Sequence, residues 1–268
     1  MKIYHYTTIE TLALILQNKT LRFNRLDQVD DLEEGSVESS GVKLGKYVFV
    51  SCWTENKEES VPLWKMYTDN GVGVRIALEQ DMFKDFPTPN GLAQNNKDLY
   101  LKIPMSELFN PDYMMLLTFK IHDRFYRKIE YVDNVFEKTK DAVNIDVKSN
   151  DTSDMLLKFN EIGRFKNNRW AFQDESRFYL NILPKNPQIS TGDDAFASWL
   201  YHAVKDGIEL PMSDYYMHLK ENVFDSMEIT LSPSMPMAKR IIVEALRDKY
   251  APNASISKSI LEQSVKLK

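Results

Sequence analysis

Residues 170–179 read WAFQDESRFY, and this stretch places one carboxylate, Glu175, two positions before one guanidinium, Arg177. If residues 172–180 form a strand, its two-residue period puts Gln173 on the same face as Glu175 and Arg177. Polar groups are costly to bury without partners, so this face must meet water, a ligand or matching groups. The stretch therefore predicts either a solvated strand face with a surface Glu–Arg pair or one wall of a polar site.

The composition is that of a folded, globular chain. Its 268 residues are 43% hydrophobic and 27% charged, and the net charge of -5 gives no overall attraction to nucleic acid or anionic lipid. We expect residues 1–268 to form one domain with a substantial core. The single cysteine, Cys52, excludes an internal disulfide, and its apolar neighbours predict a buried thiol. We find no membrane span or signal peptide, and therefore expect a cytoplasmic protein without a membrane partner.

The beginning of the chain predicts a strand followed directly by a helix. Residues 3–6 read IYHY, and residues 7–10 read TTIE, which has the pattern of a capping box with Thr7 as the cap. His5 would then lie near the free N–H groups of the first helical turn. It could be a core histidine or a contact to an anion or a ribose hydroxyl, and the sequence favours neither.

Charged residues surround the end of a predicted second strand at 21–24. Arg22 and Arg25 are available there to bind phosphate. Residues 27–35 contain five acids in nine positions, but their spacing does not follow the calcium-loop pattern. A solvated acidic turn is the favoured interpretation, and we predict no metal site.

Two apolar runs, at 47–53 and 72–78, predict core strands. Between them, residues 62–67 predict a short helix with proline in its first turn, which places Trp64 and Tyr67 one turn apart. The pair could be core packing or an aromatic surface for a planar ring.

The remaining segments complete an α+β pattern. We predict a helix-and-loop excursion around 79–123, a half-exposed strand at 124–132, a mainly helical segment around 133–162, a helix at 193–205, and a strand at 227–231 that leads into a helix at 237–250. The predicted fold is a mixed or antiparallel central sheet flanked by helices.

Several of these segments together resemble a known family, in order and over nearly the whole chain. They are YHYT at 4–7, LRF at 21–23 with the acids at 30–34, SCWT at 51–54, LWKMY at 63–67, GVRI at 73–76 and ESR at 175–177. The family is the bacterial domain of unknown function 2971. Its motifs look like those of ADP-ribosyltransferases, and the resemblance implies their split β-sandwich.

The resemblance also implies NAD as the substrate and a role for each matching residue. In ADP-ribosyltransferases a first-strand His, a middle aromatic and a later Glu form the site. Here these would be His5, Tyr67 with Trp64, and Glu175. The family's late motif is usually Glu-x-Glu-x-x-Arg, and Gln173 replaces its first acid. Because the upstream member bears on the acceptor, Gln173 would lie on the acceptor side.

The implied reaction breaks the bond between nicotinamide and ribose and develops positive charge on the ribose. A carboxylate such as Glu175 would stabilise that charge in the transition state. Tyr67 or Trp64 would stack on nicotinamide and exclude water. The other implied contacts to NAD are His5 at the second ribose, Arg22 or Arg25 at the pyrophosphate, and Arg177, which would hold Glu175 in position. Tyr6 and Thr7, next to His5, are also expected to bind NAD.

The expected activity is an NAD-dependent ADP-ribosyltransferase or NAD glycohydrolase, with a protein or nucleic acid as acceptor. By analogy it could serve as a toxin or phage-defence effector restrained by an antitoxin or regulatory protein. A non-catalytic nucleotide-binding or interaction module is the main alternative. A third is a metal-dependent nuclease that uses the acids Asp27, Asp30, Asp31 and Glu34.

Overall fold

The computed structural model describes residues 1–39, 41–87, 100–108, 110–116, 125–148 and 152–267, which form an α+β fold with a mixed sheet. The strands are β1 (Lys2–Thr7), β2 (Thr20–Arg25), β3 (Glu38–Ser39), β4 (Val42–Lys43), β5 (Val48–Thr54), β6 (Val74–Glu79), β7 (Phe86–Pro87), β8 (Tyr100–Leu101), β9 (Tyr113–Met115), β10 (Tyr126–Lys128), β11 (Glu130–Val132), β12 (Val143–Lys148), β13 (Thr152–Leu157), β14 (Phe165–Asn167), β15 (Glu175–Pro184), β16 (Asp214–His218), β17 (Glu228–Leu231) and β18 (Ser255–Lys258). The helices are α1 (Ile9–Asn18), α2 (Leu32–Gly35), α3 (Val61–Met66), α4 (Met105–Leu108), α5 (Val135–Thr139), α6 (Asp194–Lys205) and α7 (Met237–Tyr250).

The large sheet branches at β5. Its strands follow the order β10-β15-β5-β1-β6-β17-β18, and β2, which also pairs with β16, joins β5 as well. One edge of β5 is covered by β15, from Asn181 opposite Val48 to Glu175 opposite Thr54. The other edge is divided, because β2 pairs near Val50 whereas β1 pairs only at Thr54. The strands β1 and β2 therefore diverge from a shared neighbour.

The interior strand β15 is buried along its whole length, and so are most residues of β5. Aromatic rings fill the core beneath them. Phe83 contacts Phe23, Phe125 and Phe178 with ring centroids 5.8, 5.6 and 4.9 Å apart. Such edge and tilted contacts are the favoured geometries of aromatic pairs. The polar residues at the start of β15 thus lie at the margin of a large apolar core.

The helices that flank the sheet largely match the sequence pattern. Helix α1 buries Ile9, Leu12 and Leu16, as its periodicity predicts, and α7 begins and ends where the sequence indicates. The cap of α1 differs from the prediction, because Thr8 rather than Thr7 accepts the hydrogen bond from the backbone of Thr11. Within the described ranges, every helix is too short or too polar to cross a membrane.

The prediction of a mainly helical segment at 133–162 is wrong. Among the described residues of this segment, 133–148 and 152–162, the short helix α5 is the only helix, and β12 and β13 follow it as an antiparallel pair. The sequence 143–148, VNIDVK, alternates β-branched and polar residues, so a two-residue period outweighs the helical one.

Two further predicted segments differ from the structure. The strand predicted at 124–132 is divided into β10 and β11, which belong to different sheets. The excursion around 79–123 contains the pair β7 and β8, α4 and β9. Residues 88–99, 109 and 117–124 of that excursion lie outside the described residues.

Candidate functional site

A small pocket lies where β1, β5 and β15 meet. Its volume is about 60 Å³, which is enough to hold water. Three residues that are distant in sequence, His5, Tyr67 and Glu175, all line it. The other lining residues are Tyr4, Tyr6, Cys52, Trp53, Thr54, Leu63 and Gln173.

A tight turn positions Glu175. The predicted strand at 172–180 begins later than expected, because residues Asn168–Gln173 form a 3-10 helix that ends at Asp174 in the left-handed conformation, with φ of 42°. The turn is held by the Thr54 hydroxyl, which donates to the carbonyl of Asp174 at 2.8 Å. The backbone N–H of Glu175 donates to the Tyr131 hydroxyl at 2.9 Å. Gln173 and Glu175 therefore converge on the pocket without belonging to one strand.

Glu175 belongs to a buried network of charges. Arg177 binds both its oxygens, through Nε to Oε1 at 2.5 Å and through Nη2 to Oε2 at 3.0 Å. The same guanidinium binds both oxygens of Glu34, with Nη2 to Oε2 at 2.9 Å. Lys166 donates to Gln173 at 2.7 Å and to Oε2 of Glu175 at 3.3 Å. Two carboxylates thus face two cations, which is how buried charges are tolerated.

The network separates the pKa values of its two carboxyl groups. Burial opposes ionisation of Glu175, but the Arg177 and Lys166 cations outweigh it and lower its pKa to about 2. Burial raises the pKa of Glu34 in spite of its contact with Arg177. Glu175 is consequently a fully ionised carboxylate at neutral pH.

His5 is a neutral imidazole of defined tautomer. Burial lowers its pKa, although the hydrogen bond to the Cys52 carbonyl acts in the opposite direction. Its Nδ1 lies 2.8 Å from that carbonyl oxygen, and because a carbonyl only accepts, Nδ1 must carry the proton. Its ring contacts that of Trp53 at 5.1 Å. The remaining nitrogen, Nε2, is therefore an acceptor.

Tyr67 borders the pocket at the end of α3. Ser60 caps this helix, and Gly73 lets the following loop approach β1 so closely that a Cβ would lie 2.5 Å from the Thr7 carbonyl oxygen. The Tyr67 hydroxyl donates to Asp30 at 3.1 Å and accepts from Gln173 at 2.6 Å. Burial and the neighbouring Asp30 raise the pKa of this phenol, which stays neutral. Tyr67 as a whole is 37% exposed, so part of the residue is accessible to a ligand.

Trp64 does not belong to the pocket. It is buried edge-on against Tyr6 at 4.9 Å, and its Nε1 donates to Glu59 at 2.9 Å. With Leu63 and Leu267 it forms a small separate apolar cluster. Of the two readings left open by the sequence, core packing is correct for Trp64.

Three predicted NAD contacts also lie apart from the pocket lining. Arg22 pairs with Asp214 at 2.7 Å, and Arg25 pairs with Asp27 and Glu209. Thr7 is buried in β1, whereas its neighbour Tyr6 lines the pocket. The sequence suggested these two arginines as free cations at the second strand, but both have acidic partners, and β2 pairs with a different part of β5 from β1.

The acidic run at 27–35 is not the solvated turn that its composition predicts. Glu34 is fully buried against Arg177, and Asp31 is buried as the cap of α2. Asp27 pairs with Arg25, and Asp30 accepts from Tyr67. These acids have separate partners, and the described residues contain no group of three or more side chains suited to hold a metal ion.

Sequence patterns alone miss Lys166 and the role of Glu34. Lys166 is a lysine in the three-residue strand β14 with nothing in its neighbourhood to distinguish it. For Glu34 the sequence predicts a place in a solvated acidic turn or, in the nuclease alternative, a metal ligand, and not an ion pair with Arg177. The sequence offers one indirect signal for this pairing. If the strand face that carries Arg177 is buried, the guanidinium needs a negatively charged partner.

A second and larger cavity, of about 420 Å³, lies between α2 and the start of α5. Its lining includes Glu33, Glu38, Asp133 and Arg169, and none of the predicted site residues. The charged groups at its mouth are exposed and partly paired, as between Arg169 and Glu33 at 3.3 Å. The buried network and the three predicted residues mark the smaller pocket as the candidate site.

The fold and the smaller pocket define an α+β protein in which an ion-paired carboxylate, a neutral imidazole and a neutral phenol share one opening. We compared the chain with models of known protein families, with curated proteins and with solved structures, and none of them matches it. Its function is therefore inferred from the chemistry of the pocket.

Proposed function

We propose that the chain is an ADP-ribosyltransferase or NAD glycohydrolase that cleaves the nicotinamide–ribose bond of NAD, and that it belongs to the domain of unknown function 2971 family. The observation that supports this proposal is the presence of His5, Tyr67 and Glu175 in one pocket. These are the residue types of the ADP-ribosyltransferase site, and they come from three separate parts of the chain. A branched sheet with the pocket at its division is compatible with the split sandwich of that fold.

Glu175 supplies the negative charge that this reaction needs. Loss of nicotinamide leaves an oxocarbenium-like ribose, which a nearby carboxylate stabilises more in the transition state than in the ground state. A pKa of about 2 keeps Glu175 ionised at all physiological pH values. Arg177 holds its orientation, so little reorganisation is needed during the reaction.

Binding of a ribose hydroxyl by Glu175 requires a rearrangement. Arg177 occupies one site on each carboxylate oxygen, and Lys166 occupies a second site on Oε2. The Lys166 contact is the longest of the three, at 3.3 Å. A hydroxyl donor would take the place of Lys166, whose ammonium keeps its shorter bond to Gln173.

His5 and Tyr67 contribute binding and the exclusion of water. The Nε2 acceptor of His5 suits a ribose hydroxyl, which can donate to it. Because His5 alternates with Tyr4 and Tyr6 along β1, its ring projects to the face of the sheet opposite to Glu175, and the hydroxyl would reach it through the gap between β1 and β5. The Tyr67 ring, part of a residue that is 37% exposed, would stack on nicotinamide. A pocket of about 60 Å³ cannot enclose a dinucleotide, so most of the ligand would lie outside it.

Release of nicotinamide from NAD tests the proposal. The wild type should release it, alone or with a protein or nucleic-acid acceptor, and Glu175→Gln should lower the rate by roughly 10²-fold or more, as for other lost transition-state contacts. Glu130→Gln, which alters an exposed glutamate paired with Arg164, is the matched control and should retain the wild-type rate. Thermal melting verifies that each variant is folded. Absence of nicotinamide release under all these conditions would overturn the proposal.

A non-catalytic nucleotide-binding module is the second candidate, and the crowding of the site favours it. The pocket is small, and the oxygens of Glu175 already have partners. Calorimetry that detects NAD binding while no nicotinamide is released would support this candidate. Growth of cells that express the wild type or Glu175→Gln tests a toxin role separately, since equal growth would exclude toxicity through this pocket.

A further inference from the structure

Among the residues that the structure describes, two arginines, Arg75 and Arg127, form no ion pair with a carboxylate. Arg75 lies on β6 and is only 9% exposed. Its Nη1 donates to the Lys57 carbonyl at 2.8 Å, whereas its Nε has no hydrogen-bond partner among the described residues. A buried, charged donor without a partner is costly, and one explanation is a ligand that completes its hydrogen bonds.

The strand register places Arg75 on the same face of the sheet as Glu175. Glu175 lies opposite Thr54, Thr54 opposite Tyr4, and Arg75 opposite Tyr6. Residues directly opposite each other in an antiparallel pair project to the same face, and so do residues two apart on one strand. Three strand spacings of about 4.8 Å separate β15 from β6, and Arg75 is offset from Glu175 by two residues along the strands, which gives roughly 16 Å between the backbones of the two residues.

The Arg75 side chain leans from β6 towards the pocket. Its Cζ lies 4.8 Å from the centroid of the Tyr4 ring and 5.9 Å from that of Tyr6, although Tyr6 is its direct neighbour in register. Tyr4 and Tyr6 both line the pocket. The guanidinium is therefore held by aromatic faces at the border of the pocket, on the side away from Glu175.

We propose that Arg75 binds the pyrophosphate of the dinucleotide whose nicotinamide ribose lies at Glu175. This inference rests on the proposed function for the position of the ribose. The pocket is too small for the phosphates, so they must lie outside it, on the face of the sheet that Glu175 and Arg75 share. On that face, Arg75 is an arginine without an acidic partner among the described residues. Charge-assisted hydrogen bonds from its planar fork suit phosphate oxygens. Arg22 and Arg25, which the sequence suggested for this contact, are paired elsewhere.

Calorimetric titration with two ligands separates the phosphate contact from the rest of the site. ADP-ribose carries the pyrophosphate but no nicotinamide, whereas nicotinamide riboside carries no phosphate. In Arg75→Gln, the Kd for ADP-ribose should rise about 10- to 100-fold, as for a lost hydrogen bond to a charged group. The Kd for nicotinamide riboside should stay within about twofold of the wild type.

Arg127→Gln is the matched control. Arg127 also has an unpartnered Nε, but its guanidinium lies over Tyr179, at 3.9 Å from the ring centroid, and does not line the pocket. Both Kd values should therefore be unchanged in this variant. If Arg75→Gln fails to fold, Arg75→Lys keeps the charge, loses the fork, and should still weaken ADP-ribose binding selectively.

Three outcomes would each refute the pyrophosphate contact. The Arg75 variants could bind both ligands equally weakly, they could bind both as tightly as the wild type does, or the wild type could fail to bind ADP-ribose. The nicotinamide-release assay is read independently. Arg75-dependent binding of ADP-ribose without nicotinamide release would refute the catalytic proposal and leave the phosphate site standing. If nicotinamide is released but ADP-ribose binding does not depend on Arg75, the phosphate site is refuted and the catalytic proposal stands.

Discussion

Arg177 binds both oxygens of Glu175, at 2.5 and 3.0 Å, although the two residues are only two positions apart on β15. This is possible because both side chains project to one face of the strand and both are buried. The same guanidinium is shared with Glu34, which comes from α2. The orientation of the candidate catalytic carboxylate therefore depends on an acid 141 positions earlier in the chain.

Glu34→Gln should destabilise the protein. The substitution takes away one of the two oxygens that accept from the Arg177 guanidinium, and an unsatisfied buried donor costs about 1–3 kcal/mol. Glu33→Gln is a matched control, because Glu33 is exposed and pairs with the exposed Arg169, so its loss should be within about 1 kcal/mol. Urea denaturation at pH 7 measures both. Equal midpoints for the two variants would contradict the shared role of Arg177.

The stability advantage of the wild type over Glu175→Gln should depend on pH. The pKa of Glu175 is about 2 in the folded protein, below its ordinary value of 4.5. Its ionised form therefore stabilises the fold fully above the ordinary value, and this contribution is lost as the pH falls towards 2. The difference in unfolding free energy should narrow by on the order of 3 kcal/mol between pH 6 and pH 2. A difference that stays constant over this range would exclude an ionised, ion-paired Glu175.

Cys52 should react slowly in the native protein. Burial raises the pKa of its thiol, and the neighbouring Glu175 carboxylate raises it further, so the reactive thiolate is scarce at pH 8. It is the single cysteine of the chain, so mass spectrometry after iodoacetamide treatment reports on it alone. Labelling should be complete in urea and several-fold faster in native Glu175→Gln than in the wild type, with Glu33→Gln as control. Equal native rates in the three proteins would show that Glu175 does not influence the thiol.

Two substitutions at Tyr67 distinguish the contribution of its ring from that of its hydroxyl. Tyr67→Phe removes the hydrogen bonds to Asp30 and Gln173 and should cost about 1–2 kcal/mol of stability, while the ring remains for stacking. If the ring binds nicotinamide, the KM for NAD should change little in Tyr67→Phe and rise about 10-fold or more in Tyr67→Ala. Nicotinamide-release kinetics measure both values. The same KM in all three proteins would remove Tyr67 from the binding site.

The elements that the sequence predicts well are those with strong local periodicity. The apolar run that becomes β5 and the amphipathic stripe of α7 are examples, and the prediction of an α+β fold with a mixed sheet is confirmed. The prediction for the segment 133–162 failed because its weak helical periodicity competes with the alternation of apolar and polar residues from which the antiparallel pair of β12 and β13 forms. The cap at Thr8 was missed by one position, since Thr7 and Thr8 offer the same hydroxyl.

The candidate site was only partly predictable, because its important contacts are between distant residues. The convergence of His5, Tyr67 and Glu175 was expected from a motif pattern. The pairing of Glu34 with Arg177 and of Lys166 with Glu175 was not, since a charge partner far away in sequence leaves no periodic signal. Arg22 and Arg25 illustrate a different error, because the sequence suggested them as free cations for phosphate and does not show that Asp214, Asp27 and Glu209 neutralise them in the fold.

The division of the sheet beside β5 has a mechanical consequence. The described strands β1 and β5 share one registered pair, Tyr4 opposite Thr54, and next to it the His5 ring bonds to the Cys52 carbonyl. Separating the two strands there would break the hydrogen bond between His5 and Cys52 and few hydrogen bonds between the backbones of β1 and β5. The sheet should therefore open more easily between β1 and β5 than between the strands on either side. A ligand larger than the present pocket could then enter while the strand pairs that enclose the core stay hydrogen-bonded.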